Sequence, residues 1–142
     1  MTRVLGLDPG ARRIGVAVSD PMGWSAQGLP TIERQSDKQA IEEIRRIVED
    51  LGVERIVVGL PRNMDGTIGT QARKVLALAE LLRASLGLPV ETWDERLTTV
   101  AAQKSMTETH LSRARRKRTV DRIAAQFILQ GYLDSLRARA AR

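Results

Sequence analysis

Residues Arg3–Asp20 read RVLGLDPGARRIGVAVSD, two apolar runs broken by a short turn. Val4, Leu5 and Leu7 mark a strand from Arg3 to Asp8, and Pro9-Gly10 is a turn signal. The run IGVAVS, Ile14 to Ser19, is a second strand, close enough to the first to pair with it antiparallel. Residues from Ser25 to Glu33 supply a third, and Pro30 assigns it to a sheet edge because proline has no N–H to give to a ladder. The chain therefore opens on a meander.

Beyond Glu33 the period changes. Ser36 and Gln39 form a capping box, and Ala40, Ile41, Ile44, Ile47, Val48 and Leu51 recur at helical spacing until Gly52. Glu54–Leu60, ERIVVGL, is a nearly continuous apolar strand of the kind covered on both faces. After a loop from Pro61 to Gly69, Thr70 is read as the cap of a helix carrying Val75, Leu78, Ala79, Leu82 and Leu86, with Gly87 as its stop. Pro89 to Trp93 is a further strand, and a helix is expected to start near Thr98 or Thr99. The last helix is expected from about Val120 to Arg137, with Ile123, Phe127 and Leu133 among its apolar positions. This order gives an α/β domain with a five-stranded mixed sheet, an antiparallel three-strand meander plus two parallel strands, flanked by helices. The 142 residues show no repeat or linker and are read as one domain, 1–142.

Composition narrows the function. Hydrophobic residues make up 42% of the chain, enough for a real core, yet no apolar run approaches a membrane span and no secretory leader is visible. Cysteine is absent, which excludes disulfides, zinc–thiolate sites and cysteine nucleophiles. A cytoplasmic location is expected, as a monomer or a homodimer. The net charge of +6 favours a polyanionic partner such as nucleic acid. Aromatics total only 3%, too few for a platform of stacked bases. The single histidine, His110, sits in a polar segment and is read as a surface residue.

Three acidic positions stand out. Asp8 ends the first strand before a Pro-Gly turn, where a carboxylate either initiates the turn or faces a crevice. Asp94 and Glu95 follow the strand ending at Trp93, at the carboxyl end where α/β sheets bind ligands. Alternation along a strand allows one of this pair to face the crevice; Glu95 is favoured and Asp94 is the alternative. Asp121 is placed in the first turn of the last helix, where it complements the helix dipole, or pairs with the basic residues before it, or faces the sheet in a row with Ala124, Ala125 and Ile128. Asp8, Glu95 and Asp121 together suit a hard divalent cation, Mg²⁺ or Mn²⁺, and metal-assisted phosphodiester hydrolysis, which needs no histidine.

Four strings in order, LDPGARRIGVAVSD from Leu7, VVGLPRNMDGT from Val57, WDERLTT from Trp93 and KRTVDRIAAQFILQGYLD from Lys117, closely resemble the YqgF/RuvX family. Its members are described as Holliday-junction-resolvase-like proteins and as pre-16S ribosomal RNA nucleases. The resemblance covers nearly the whole chain. It implies an RNase H-like fold, a role in processing the 5′ end of ribosomal RNA precursors, and a carboxylate site on Asp8, Glu95 and Asp121. It also implies that the loop of Asn63, Met64, Asp65 and Gly66 borders the site; by composition, Asp65-Gly66 is a turn with a positive-φ glycine. The chain departs from true resolvases, which carry a second aspartate one helical turn after the last one. Ala124 stands there instead.

Each acid has basic neighbours in sequence: Arg12 and Arg13 after Asp8, Arg96 after Glu95, and Arg113, Arg115, Arg116, Lys117 and Arg118 before Asp121. Phosphates flanking a cleaved bond need such cations, although the run from Arg113 also reads as a solvated loop. The substrate expected is structured RNA of a ribosomal precursor, with branched DNA as the alternative. Two other classes fit the residues less well. An actin- or sugar-kinase-like nucleotide site needs a second lobe that 142 residues do not supply, and no Walker loop is present. A non-catalytic RNA-binding assembly factor would not need the three acids.

Overall fold

Val and Ile dominate the central strands because β-branched side chains fit a pleated surface covered on both sides. A computed structural model describes residues 2–95 and 113–140, with side chains from residue 121 onward in the second segment. Five strands are described: β1 (Arg3–Pro9), β2 (Arg13–Ser19), β3 (Ala26–Glu33), β4 (Val53–Leu60) and β5 (Val90–Asp94). Their order in the sheet is β3-β2-β1-β4-β5. The β1–β2 and β2–β3 pairs are antiparallel, whereas β1–β4 and β4–β5 are parallel. This is the meander plus two parallel strands read from the sequence, and β3, with Pro30, lies at the edge.

Helices α1 (Asp37–Leu51) and α2 (Thr70–Leu86) cover one face. Their Ile41, Ile44, Val75, Leu78 and Leu82 join Leu5, Leu7, Ile14, Val16, Ile56 and Val58 in the larger core. The third described helix, α3 (Arg113–Ala140), lies across the opposite face. There Ala125, Leu129, Tyr132 and Leu133 pack on Val4, Ala17 and Val57. Alternation along the strands explains the division: Leu5 and Leu7 point to α1 and α2, while Val4, Gly6 and Asp8 point to α3.

The helix ends show how local chemistry sets boundaries. Ser36 accepts from the Gln39 N–H at 3.1 Å, the Gln39 side chain accepts from the Ser36 N–H, and Gly52 ends α1 in the left-handed conformation. Gly87 closes α2 in the same way. Thr70 is not a cap: Gly69 holds the N-cap position without a side-chain bond, and Thr70 is the first helical residue.

The largest departure from the sequence reading concerns α3. Among the described residues it reaches back to Arg113, well before Val120. The basic run Arg113–Arg118 is therefore helical rather than a loop, as its lack of Gly and Pro and its many arginines allow. Asp121 then sits two turns inside the helix, where the dipole no longer accounts for it. The helix expected near Thr98 or Thr99 lies outside the described residues, as do Arg96 and His110.

Candidate carboxylate site

Asp8 is the penultimate residue of the central strand β1, on the face turned toward α3, and is 9% exposed. It pairs in register with Gly15 of β2. A Cβ at Gly15 would run into the Asp121 carbonyl group and lie 3.3 Å from its Cα. The backbone of α3 at Asp121 thus rests on the strand residue paired with Asp8, an approach that only a glycine permits. On the other side of Asp8, the β1–β4 ladder pairs Leu7 with Val58, and the next residue of β4 is Gly59. A Cβ at Gly59 would stand 2.8 Å from Glu95 Oε1 and would also meet the Ile128 side chain. Two glycines flanking Asp8 therefore admit Asp121 from the helix and Glu95 from the end of β5.

Asp94 faces elsewhere. Its Oδ2 lies 4.0 Å from Arg62 Nε, at the start of the loop after β4. Of the two adjacent acids, Glu95 reaches the α3 side of the sheet and Asp94 the loop side. That loop is braced internally. The Asn63 N–H donates to the Thr67 carbonyl at 3.0 Å, Asn63 Nδ2 donates to Thr67 Oγ1 at 2.9 Å, and Thr67 N–H and Oγ1 both donate to Asp65 Oδ1. Gly66 has φ of 88°, as its place after Asp65 requires. Asn63 is exposed, and its amide nitrogen is engaged within its own loop.

Of the basic residues expected around the acids, Arg12 is exposed at the β1–β2 turn. Arg13 is turned inward, with Nε 3.5 Å from Asp121 Oδ2. Arg113, Arg115, Arg116, Lys117 and Arg118 occupy the first turns of α3, and the positions of their side chains lie outside the described residues. Ala124, where a resolvase would place a further aspartate, is fully buried beside Ile128 and Phe127.

The donor set suits a hard divalent cation, since all three candidate ligands are carboxylates; Gly59 leaves room for the Glu95 carboxylate and Gly15 for the α3 backbone at Asp121. Among the described residues, no three acids or histidines are gathered closely enough to form a ready metal centre. The part that the sequence reading missed is the pair of glycines, and it left a signal: an isolated glycine inside an apolar strand marks a close approach.

The RuvX family profile, described as Holliday junction resolvase, matches residues 2–135. The chain belongs to the RuvX family. A relative from Clostridium novyi named "Putative pre-16S rRNA nuclease" is 57% identical over 134 residues, 94% of this RuvX chain and 99% of the relative. One of the same name from Desulforamulus reducens is 50% identical, covering 94% and 97%. Among solved structures, Thermus thermophilus RuvC in complex with a Holliday junction superposes with a TM-score of 0.61 at 15% identity, covering 99% of this chain and 97% of that one. Fowlpox virus resolvase bound to Holliday junction DNA gives 0.56 at 12% identity, covering 95% and 99%. These likenesses bear on fold alone: the sheet and helices of this RuvX-family chain are those of the resolvases, an RNase H-like fold.

Proposed function

We propose that this chain is a divalent-metal-dependent endonuclease that hydrolyses phosphodiester bonds in structured RNA, at the 5′ end of the 16S ribosomal RNA precursor. The reading rests above all on the two glycines beside Asp8, which let the α3 backbone at Asp121 and the Glu95 side chain approach the end of the sheet where Asp8 sits. Support comes from relatives at 50–57% identity that carry the pre-16S rRNA nuclease name. In this assignment Asp8, Glu95 and Asp121 hold the metal, Mg²⁺ or Mn²⁺. When bound, such an ion would supply activation of water and stabilisation of the charge that develops on phosphate. Asp8 is the fixed member, because it projects from the central strand under a helix and has least freedom to move. Arg12, Arg96 and the basic turns of α3 bind flanking phosphates, in keeping with the net charge of +6.

The family description favours a second reading, cleavage of four-way DNA junctions. Ala124 weighs against it, because a fully buried apolar position replaces the further aspartate of resolvases. Purified protein with Mn²⁺ should cut a precursor rRNA fragment, and Asp8→Asn should abolish cutting while retaining RNA affinity. Equal cleavage by wild type and variant would mark a contaminating nuclease and remove the catalytic assignment. Preferential cutting of a junction by the wild type alone would favour the second reading.

A further inference from the structure

The side chain of Arg13 is committed to the protein rather than offered to solvent. Strand alternation aims Arg13 toward α3 along with Gly15 and Ala17, at the end of the sheet where Asp8 sits. Its Nε meets Asp121 Oδ2 at 3.5 Å, with the two side chains 21% and 25% exposed. Asp121 is pressed against the sheet through Gly15, next to the buried Asp8. Neighbouring carboxylates repel in a partly desolvated place, and a fixed cation relieves that repulsion.

We propose that Arg13 is the counter-ion of Asp121 in the metal-free protein, and that a divalent cation displaces it, freeing the guanidinium for a substrate phosphate. The inference rests on the assignment of Asp8, Glu95 and Asp121 to a metal. A divalent ion in direct contact with carboxylate oxygens outcompetes a guanidinium whose Nε stands 3.5 Å from the carboxylate, longer than a charge-assisted hydrogen bond. Arginine suits the second role because its planar fork matches phosphate as well as carboxylate. Metal loading then adds one cation to the nucleic-acid surface at the place where the reacting phosphate must sit.

The test is Mn²⁺ binding to the full chain without RNA, read by electron paramagnetic resonance of the free ion, for wild type and Arg13→Gln. Removing the competing charge should tighten Mn²⁺ binding by about fivefold, the upper range for a partly exposed ion pair. Equal or weaker binding by Arg13→Gln overturns the inference and leaves the metal assignment standing. Absence of Mn²⁺ binding in wild type overturns both. A second measurement needs no variant: in Mg²⁺ titrations followed by NMR, the Arg13 Nε–Hε resonance should shift together with the Asp8 and Asp121 amides. Amide shifts with an unmoved Arg13 resonance overturn the displacement.

Discussion

Asp94 and Glu95 are chain neighbours with different surroundings. Glu95 reaches the gap above Gly59, while Asp94 faces Arg62. If Glu95 is a ligand, Glu95→Gln should lower the cleavage rate by at least about a hundredfold, and Asp94→Asn by less than about tenfold, the contrast between losing a metal ligand and losing a distant ion pair. Single-turnover cleavage rates read the difference directly, and similar losses in both would reopen the choice. Gly15 gives a prediction of another kind. Its missing Cβ is the space that the Asp121 backbone fills. Gly15→Ala should destabilise the fold by about 1–3 kcal/mol through overpacking and also weaken Mn²⁺ binding, because α3 must lift from β2. Urea denaturation and Mn²⁺ titration check the two effects separately. The same substitution at Gly23, which has nothing within 4 Å, should leave Mn²⁺ binding unchanged.

Elements are held at their ends by short-range bonds. The capping box at Ser36 starts α1, and Ser36→Ala should cost about 1 kcal/mol in urea denaturation with cleavage unaffected. The turn between β2 and β3 depends on Asp20, whose Oδ1 accepts from the Trp24 and Ser25 N–H groups at 2.7 and 2.9 Å. These bonds, the Ser25 one foremost, hold the Asp20 carboxyl below its ordinary value of 3.8. A lowered carboxyl stabilises the fold above its unfolded value and loses that contribution as pH falls through the folded one. Asp20→Asn should therefore melt below wild type at pH 7, and the gap should close in more acidic buffer; a gap independent of pH would assign the loss to packing. Trp24 from this turn stacks with Arg137 of α3, 5.0 Å from the ring centroid, and Arg137 donates to the Gly23 and Trp24 carbonyls. The far end of α3 is thereby fastened to the meander while its middle covers the acids.

At the scale of the whole molecule the charge decides the mode of association. With a net charge of +6, RNA binding should weaken log-linearly with salt. Replacing Arg116 and Lys117 together by glutamine should flatten that slope by about one to two units if both meet phosphate. Filter binding across a salt series measures it, and an unchanged slope would take the start of α3 off the nucleic-acid surface. No helix among the described residues is long and apolar enough to cross a membrane.

Much of this was legible in the linear chain. The strand periodicities, the capping box, the Pro30 edge and the glycine stops of α1 and α2 are local features, set by residues within a few positions of one another, and they reappear where they were read. The basic turns of α3 escape a periodicity reading because a run of arginines carries no apolar period to count, although arginine is a good helix former. The choice among the alternatives for Asp121 also lay beyond reach, since it depends on where the helix begins and on which strand it crosses.

The order and type of the elements, the positive charge and the three acids worth watching follow from the linear chain, because periodicity and composition are written along one dimension. It takes the folded chain to set Gly15 and Gly59 beside Asp8, to turn Glu95 rather than Asp94 to the α3 side, and to pair Arg13 with Asp121. These are contacts between residues as much as 108 positions apart, 13 and 121. They exist because a sheet aligns strands that are distant in the chain and a helix crosses them where missing side chains let its backbone come close.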